Sequence, residues 1–298
     1  AASVVWTPRK NNFFRFSFSS AIRNPTLTDQ YLNLRVGPAT LLGNLNGFKG
    51  LIPLDQLRAY LEDSTQPLDS FDIAPIRPEK VKTFELGYRT TIFRQLYMDA
   101  GYYYNIYRDF IGYNIGVTLP FQQVEIFPGT FVNYPLYQQI KVYRVASNAS
   151  QKVTSQGFTI GLNYYFQNYF MVQGNYSWNR LNTVATDPIV PAFNTPEHKF
   201  NLGFSGRDIK AWGRNTLGFM VNYKWIETFI FEGSPQFTGI IPSYDMLDAQ
   251  INLSIPKLNT TVKLGASNLL NNKQFQTYGG PRIGRMAYLS LIYDYRKK

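Results

Sequence analysis

Cysteine is absent, histidine occurs once, and acidic side chains are outnumbered by basic ones, 19 to 30. Without cysteine there is no disulfide framework, thiol nucleophile, cysteine-ligated zinc site or iron–sulfur cluster. A single histidine excludes the multi-histidine metal centres of zinc proteases. Long apolar runs are also missing, and nothing approaches the roughly 18 consecutive apolar residues of a transmembrane helix. The first residues, Ala1–Lys10, show no basic segment followed by an apolar one. They are not a leader peptide, and the sequence is expected to start inside a fold or at a processed end.

Aromatic residues are abundant instead, at 16% of the 298 residues with 22 Tyr and 23 Phe. They do not collect in dense apolar blocks but alternate with polar residues. Phe84, Leu86 and Tyr88 share one parity, against Glu85, Gly87 and Arg89 on the other. The same alternation separates Met98, Ala100, Tyr102 and Tyr104 from Asp99, Gly101, Tyr103 and Asn105. It recurs in Phe158–Phe166, Phe170–Trp178, Phe200–Phe204, Leu217–Trp225, Leu247–Ile255, Val262–Ala266 and Leu289–Tyr295, and near the start in Val4–Trp6 and Phe14–Phe18. Period two means strands with one oily and one polar face, and about eleven are counted.

Connection lengths alternate as well. Short turns fall at Pro8–Asn12, Phe93–Gln95, Gln167–Asn168, Gly206–Arg214 and Pro256–Asn259; long loops fall at 22–80, 109–151, 181–197, 226–244 and 269–284. All long loops therefore leave one end of the sheet, which is the layout of an antiparallel transmembrane β-barrel. A soluble sandwich would show the same period with inside and outside exchanged. Two features favour the membrane: the oily face ends in Tyr, Trp or Phe, and the other face is Gly, Asn, Ser, Gln and Asp with scattered charge. Eleven strands cannot close antiparallel, and open edges in lipid are costly. The chain is therefore expected to be part of a larger barrel.

Five segments resemble the C-terminal half of a TonB-dependent outer-membrane receptor barrel. They are Phe16–Tyr31 with Arg23-Asn24-Pro25-Thr26, Arg77–Thr90 with its Pro-Glu and Glu-Leu-Gly-Tyr, Val153–Phe166, Thr195–Phe204 with Pro196 and His198, and Gly265–Tyr295 with Asn268-Leu269-Leu270-Asn271. They stand in the family's order across nearly the whole chain. The resemblance implies about 22 strands around a plug, of which these are the last eleven. It implies import of a scarce, large or chelated nutrient, energised by TonB. Implied partners are the N-terminal half of the barrel and its plug, the TonB complex, the lipid bilayer with its lipopolysaccharide, and an accessory outer-membrane lipoprotein. The family's plug and TonB box are not within these residues, and the family commonly ends on an aromatic residue whereas this sequence ends Arg296-Lys297-Lys298. A passive porin or secretion-associated barrel is the alternative reading.

The net charge of +11 gathers mainly in the short turns and the tail, at Arg9, Lys10, Arg94, Arg207, Lys210, Arg214, Lys257 and 296–298. Basic groups at that rim meet lipid phosphates, and no nucleic-acid partner is needed. Arg15, Glu85, Arg89, Asp99, Lys224, Asp248 and Lys263 fall on the polar face, to pair with the plug or across the wall, or to line a ligand path. Loops on rigid scaffolds carry specificity. The second long loop holds Phe121, Gln122, Gln123, Phe127, Phe131, Tyr134, Tyr137, Gln138 and Gln139, whose rings and amides suit sugars, peptides or aromatic chelates, or else pack on one another. In the first loop, Leu54, Leu57 and Leu61 predict a short helix over Pro53–Asp63, serving loop packing. The fourth loop carries Glu227 and Glu232 and no basic residue, which disfavours an anionic chelate there. His198 is read as structural, at a strand entry. No catalytic residue, metal site or bound cofactor is expected, and no enzyme.

Overall fold

Alternation of period two does produce strands. The computed structural model describes residues 1–183, 187, 189–191, 193–233 and 237–295. One antiparallel sheet holds eleven strands: β1 (Ala2–Arg9), β2 (Asn12–Arg23), β3 (Glu79–Ile92), β4 (Leu96–Arg108), β5 (Val153–Phe166), β6 (Phe170–Asn182), β7 (His198–Lys210), β8 (Thr216–Ile226), β9 (Tyr244–Ile255), β10 (Thr260–Ser267) and β11 (Met286–Tyr293). Each pairs with its neighbours in chain order. The sheet is therefore a continuous meander, with every long connection at one end.

Two boundaries differ from expectation. The turn read as Gly206–Arg214 is shorter, because β7 continues to Lys210 past a register shift between Gly206 and Ile209. Asp208 there has φ 54°; a bulge adds an unpaired residue and breaks the alternation that a sequence reading follows. Pro8 lies inside β1 rather than in a turn. It is tolerated because β1 is an edge strand, where a missing N–H costs no ladder bond. The tightest turns take left-handed residues, Phe93 and Arg94 at φ 52° and 60°, and Gln167 and Asn168 at 51° and 59°; such positive φ matches the strand twist of two-residue hairpins.

The two faces separate by chemistry. On the polar face hydroxyls and amides bond across strands: Tyr103 donates to Asn179 at 2.9 Å, Asn105 to Ser155 at 3.0 Å and Asn201 to Asn175 at 2.8 Å. The oily face carries exposed Val4, Trp6, Phe16, Phe84, Leu86, Phe158, Leu202, Ile251, Leu264 and Leu289. Aromatic rings bracket it. Near the short turns, Trp6, Phe14 and Tyr88 lie 5.3 and 4.6 Å apart in sequence of contact, and Phe166, Phe170, Phe204 and Phe219 form a second group. Near the long loops, Phe18 meets Phe84 at 5.0 Å and Phe200 meets Trp225 at 5.5 Å. Two aromatic belts around an apolar band are what a bilayer's interfaces select. No helix among the described residues is long and apolar enough to cross a membrane. Strands make the crossing instead.

Buried residues gather in the loops rather than in the sheet. Ile52, Leu57, Val117 and Leu119 form one small core, Leu51, Ile73 and Val145 a second, and Ile226, Ile241 and Tyr244 a third. The predicted helix is present as Leu54–Glu62, with Leu57 buried in the first of these cores, so it does pack the loop. A further one-turn helix, Leu27–Tyr31, is fixed by a capping box in which Thr26 accepts from the Asp29 N–H and the Asp29 carboxylate accepts back from the Thr26 N–H.

Candidate functional site

The long loops do not stand apart. Residues 33–36, 39–42, 141–148 and 111–118 build a four-stranded sheet that joins the first loop to the second. Its central pairing is parallel, Ala39–Leu42 against Val142–Val145, across about a hundred residues of chain. Two glycines let other loops onto one face of it. A Cβ at Gly116 would lie 3.1 Å from the Ile52 carbonyl, and one at Gly112 would lie 2.6 Å from the Val190 carbonyl. Main-chain bridges form at both places, Ile52 with Val117 and Tyr113 with Val190. First, second and third loops are thereby laced together through backbone.

On the opposite face of that sheet Tyr113 and Arg144 bind the fourth loop. The Arg144 guanidinium sits 3.2 Å from the Tyr113 ring centroid and donates to the Gly233 carbonyl. Tyr113 donates to the Glu232 carboxylate at 2.7 Å. Asn194 clamps the Glu232 backbone from the third loop, accepting its N–H at 2.7 Å and donating to its carbonyl at 3.1 Å. Burial, then the Glu232 carboxylate, pushes the Tyr113 hydroxyl well above its ordinary pKa, opposed by the nearby Arg144. Burial also lowers Arg144. Glu227 accepts the His198 N–H at 3.0 Å. Both acids of the fourth loop are thus committed to internal bonds, and their expected repulsion of an anionic ligand loses its basis.

The aromatic and amide residues of the second loop do not form one pocket. Phe121, Gln122 and Gln123 lie on strand Phe121–Phe127, Tyr134 on Thr130–Pro135, and Tyr137 and Gln138 in the 3-10 turn Tyr137–Gln139. The two strands pair only with each other, and almost every residue of this hairpin is exposed, Phe127 at 69% and Phe131 and Tyr134 at 59%. Gln122 and Tyr134 are cross-strand partners, whereas Gln123 faces the other side with Asn133. At its base Phe121 and Gln139 border a cleft of about 530 Å3, which is closed on the other side by Ile52, Leu68, Lys141 and Tyr143.

The polar face brings four of its seven predicted charges together. Arg15 reaches Glu85 at 3.9 Å, across the bare backbone of Gly87. Arg89 is the direct cross-strand partner of Asp99 and lies 5.0 Å over the Phe13 ring. Arg15, Arg89, Asp99 and Phe13 line a depression of about 190 Å3 on this face. Lys224, Asp248 and Lys263 stay apart from it: Asp248 accepts the Asn268 N–H at 2.8 Å, Lys224 pairs with Met246 and Lys263 with Asn252. His198 bonds Tyr176 at 2.6 Å on the oily face, a structural contact. Sequence reading missed Tyr113, Arg144 and Asn194, whose partners come from separate loops and leave no local signal.

An eleven-stranded meander with laced loops, aromatic belts and a charged polar face is matched over residues 1–269 by the family described as TonB dependent receptor-like, beta-barrel. The chain belongs to the TonB-dependent receptor family. No curated protein sequence matches it. Among solved structures, the siderophore receptor PirA from Acinetobacter baumannii is similar with a TM-score of 0.62 and 15% identity, over 98% of this chain and 40% of PirA. The FrpB iron transporter from Neisseria meningitidis (F3-3 variant) is similar at 0.56 and 14%, over 98% and 38%. The copper transporter OprC is similar at 0.61 and 12%, over 97% and 38%. At these identities the likeness is one of fold, and the chain spans well under half of each transporter. Membership places the chain in the Gram-negative outer membrane, in a family of transporters rather than enzymes. It also sets the orientation of this TonB-dependent receptor barrel: the long loops are extracellular and the short turns periplasmic.

Proposed function

We propose that these residues form the C-terminal half of the barrel of an active importer, completed by an N-terminal barrel half and a plug. The reading rests on one observation above all. Eleven strands form a single sheet whose outer strands, β1 and β11, each keep one unpaired edge. Unpaired backbone groups in hydrocarbon cost several kcal/mol each, so partner strands are required on both sides, and a second set of eleven supplies them. The Arg15–Glu85 and Arg89–Asp99 charges then face the plug. Uptake is energised by TonB, and the cargo is a scarce or large nutrient captured by the loops.

PirA, FrpB and OprC are named for siderophore, iron and copper transport, and a chelated metal is the cargo class we favour here. Among the described residues no group of three or more His, Asp or Glu is placed to hold a bare ion. Rings and amides around the cleft at Phe121, Gln139 and Tyr143 suit the organic shell of a chelate. The hairpin 121–135, with Gln122, Gln123 and Tyr134, and the adjoining Tyr137 and Gln138 make the first contact.

Uptake of labelled ferric and cupric chelates into cells carrying the intact receptor is the test. Uptake should stop when the proton motive force is collapsed or TonB is deleted. Persistent uptake in either case would overturn active import in favour of a passive porin. Replacing residues 121–135 by a short Gly-Ser linker should abolish chelate binding while leaving the receptor inserted.

A further inference from the structure

The basic residues of the strands do not all face the polar side. Lys80 and Lys82 of β3, Arg108 of β4 and Arg180 of β6 lie on the same parity as Phe84, Tyr104 and Trp178, which is the oily, outward face. All four are exposed. They stand at the extracellular end, where β3 begins and β4 and β6 finish. Lys82 is two residues above Phe84 and Lys80 four, roughly 7 and 13 Å along a strand. Below them the aromatic belt begins, with Phe18 against Phe84 at 5.0 Å and Tyr102 donating to Gln156 at 2.8 Å.

Lys80 and Arg108 are direct cross-strand partners. Like charges in that position repel, and the protein offers them no counter-charge. The two adjacent carboxylates are spent elsewhere. Glu79 is on the other face, accepting the Ile111 N–H at 2.9 Å with Arg23 at 3.6 Å, and Asp109 pairs with Arg77 at 2.8 Å. Among the described residues none of the four cations takes part in an ion pair. Ile22, Ser20 and Ile106 fill the neighbouring outward positions and bring no negative charge.

We infer that Lys80, Lys82 and Arg108, flanked by Arg180, form a binding site for the phosphate groups of the glycolipid that fills the outer leaflet. Acyl chains lie along Phe84, Leu86 and Tyr104, and the phosphates rise to the height of the lysine and arginine heads. An anion between Lys80 and Arg108 converts their repulsion into two charge-assisted bonds. The site is separate from the loop crown and from the periplasmic basic rim.

The test uses the intact receptor in phosphatidylcholine nanodiscs, with diphosphoryl lipid A, enzymatically dephosphorylated lipid A and inorganic phosphate as probes. The variants are K80Q/K82Q/R108Q and, as a control at the other rim, K210Q. Wild type and K210Q should bind diphosphoryl lipid A alike, and the triple variant at least about tenfold more weakly. Dephosphorylated lipid A should bind all three weakly and equally, and millimolar inorganic phosphate should not displace the lipid. Equal binding by wild type and the triple variant, or equal binding of the two lipids by wild type, overturns the site. Full displacement by inorganic phosphate overturns the lipid assignment in favour of a free anion. If the triple variant does not insert, Lys82→Gln and Arg108→Gln are read singly, and unchanged affinity in both overturns the site.

Discussion

Tyr113 shows how a single side chain can carry both packing and chemistry in a loop assembly. Its ring supports Arg144 and its hydroxyl holds Glu232, so the second and fourth loops meet in one residue. Removing the hydroxyl in Tyr113→Phe keeps the ring and leaves a part-buried carboxylate short of a donor. Such a loss costs about 1–3 kcal/mol. Amide exchange in residues 227–233 should quicken about tenfold or more, with exchange in β3 to β5 unchanged. A pH dependence follows from the same bond. The Tyr113 pKa is raised in the folded state, so its contribution to stability is complete below the unfolded value of about 10. It is lost as pH rises from there towards the folded value, because the unfolded loop releases its proton first. Loop opening in the wild type should therefore steepen above about pH 10, and Tyr113→Phe should remove that part of the slope.

At the scale of elements, the strands were legible in the sequence and the loop architecture was not. Phe84, Leu86 and Glu85 announce β3 within a few residues, because a strand between lipid and a polar lumen must alternate at every step. The four-stranded loop sheet has no such constraint. Ala39–Leu42 finds its partner about a hundred residues away, so nothing near it in the sequence marks it as a strand. Leu57 was readable as a packing residue because the spacing of a helix is local. Gly112 and Gly116 are informative only once the neighbours are known. Gly112→Ala would place a methyl 2.6 Å from the Val190 carbonyl and must displace the third loop, at about 1–3 kcal/mol. Amides of Tyr113 and Val190, which bond each other's carbonyls, should lose exchange protection together. The bridge between Ile52 and Val117 should keep its protection, and equal loss at both places would mean that the loops unfold as one unit.

For the molecule as a whole, the bilayer decides which substitutions matter. Leu86 is half exposed on the lipid face, midway along β3, and its sequence neighbour Glu85 is on the polar face beside Arg15. Leu86→Arg should destabilise the intact receptor in lipid vesicles by about 2–4 kcal/mol, as for a cation near the membrane midplane. Glu85→Gln removes a loose, solvent-exposed ion pair and should cost less than about 1 kcal/mol. Reversal of that order in urea titrations would mean that the two faces of the sheet have been exchanged.

The sequence by itself determined the strand count, the two faces, the end from which the long loops leave and the family, because alternation and loop length are imposed residue by residue by lipid on one side and water on the other. It also placed Arg15, Glu85, Arg89 and Asp99 on one face, since parity is conserved across a hairpin. Tertiary structure decided what parity cannot express. It showed that Glu232 is consumed by Tyr113, that the aromatic hairpin 121–135 projects outward and leaves only Phe121 at the cleft, and that Lys80 and Arg108 stand directly opposite each other. Each of these depends on register or on contacts between segments far apart in the chain, and a linear pattern carries neither.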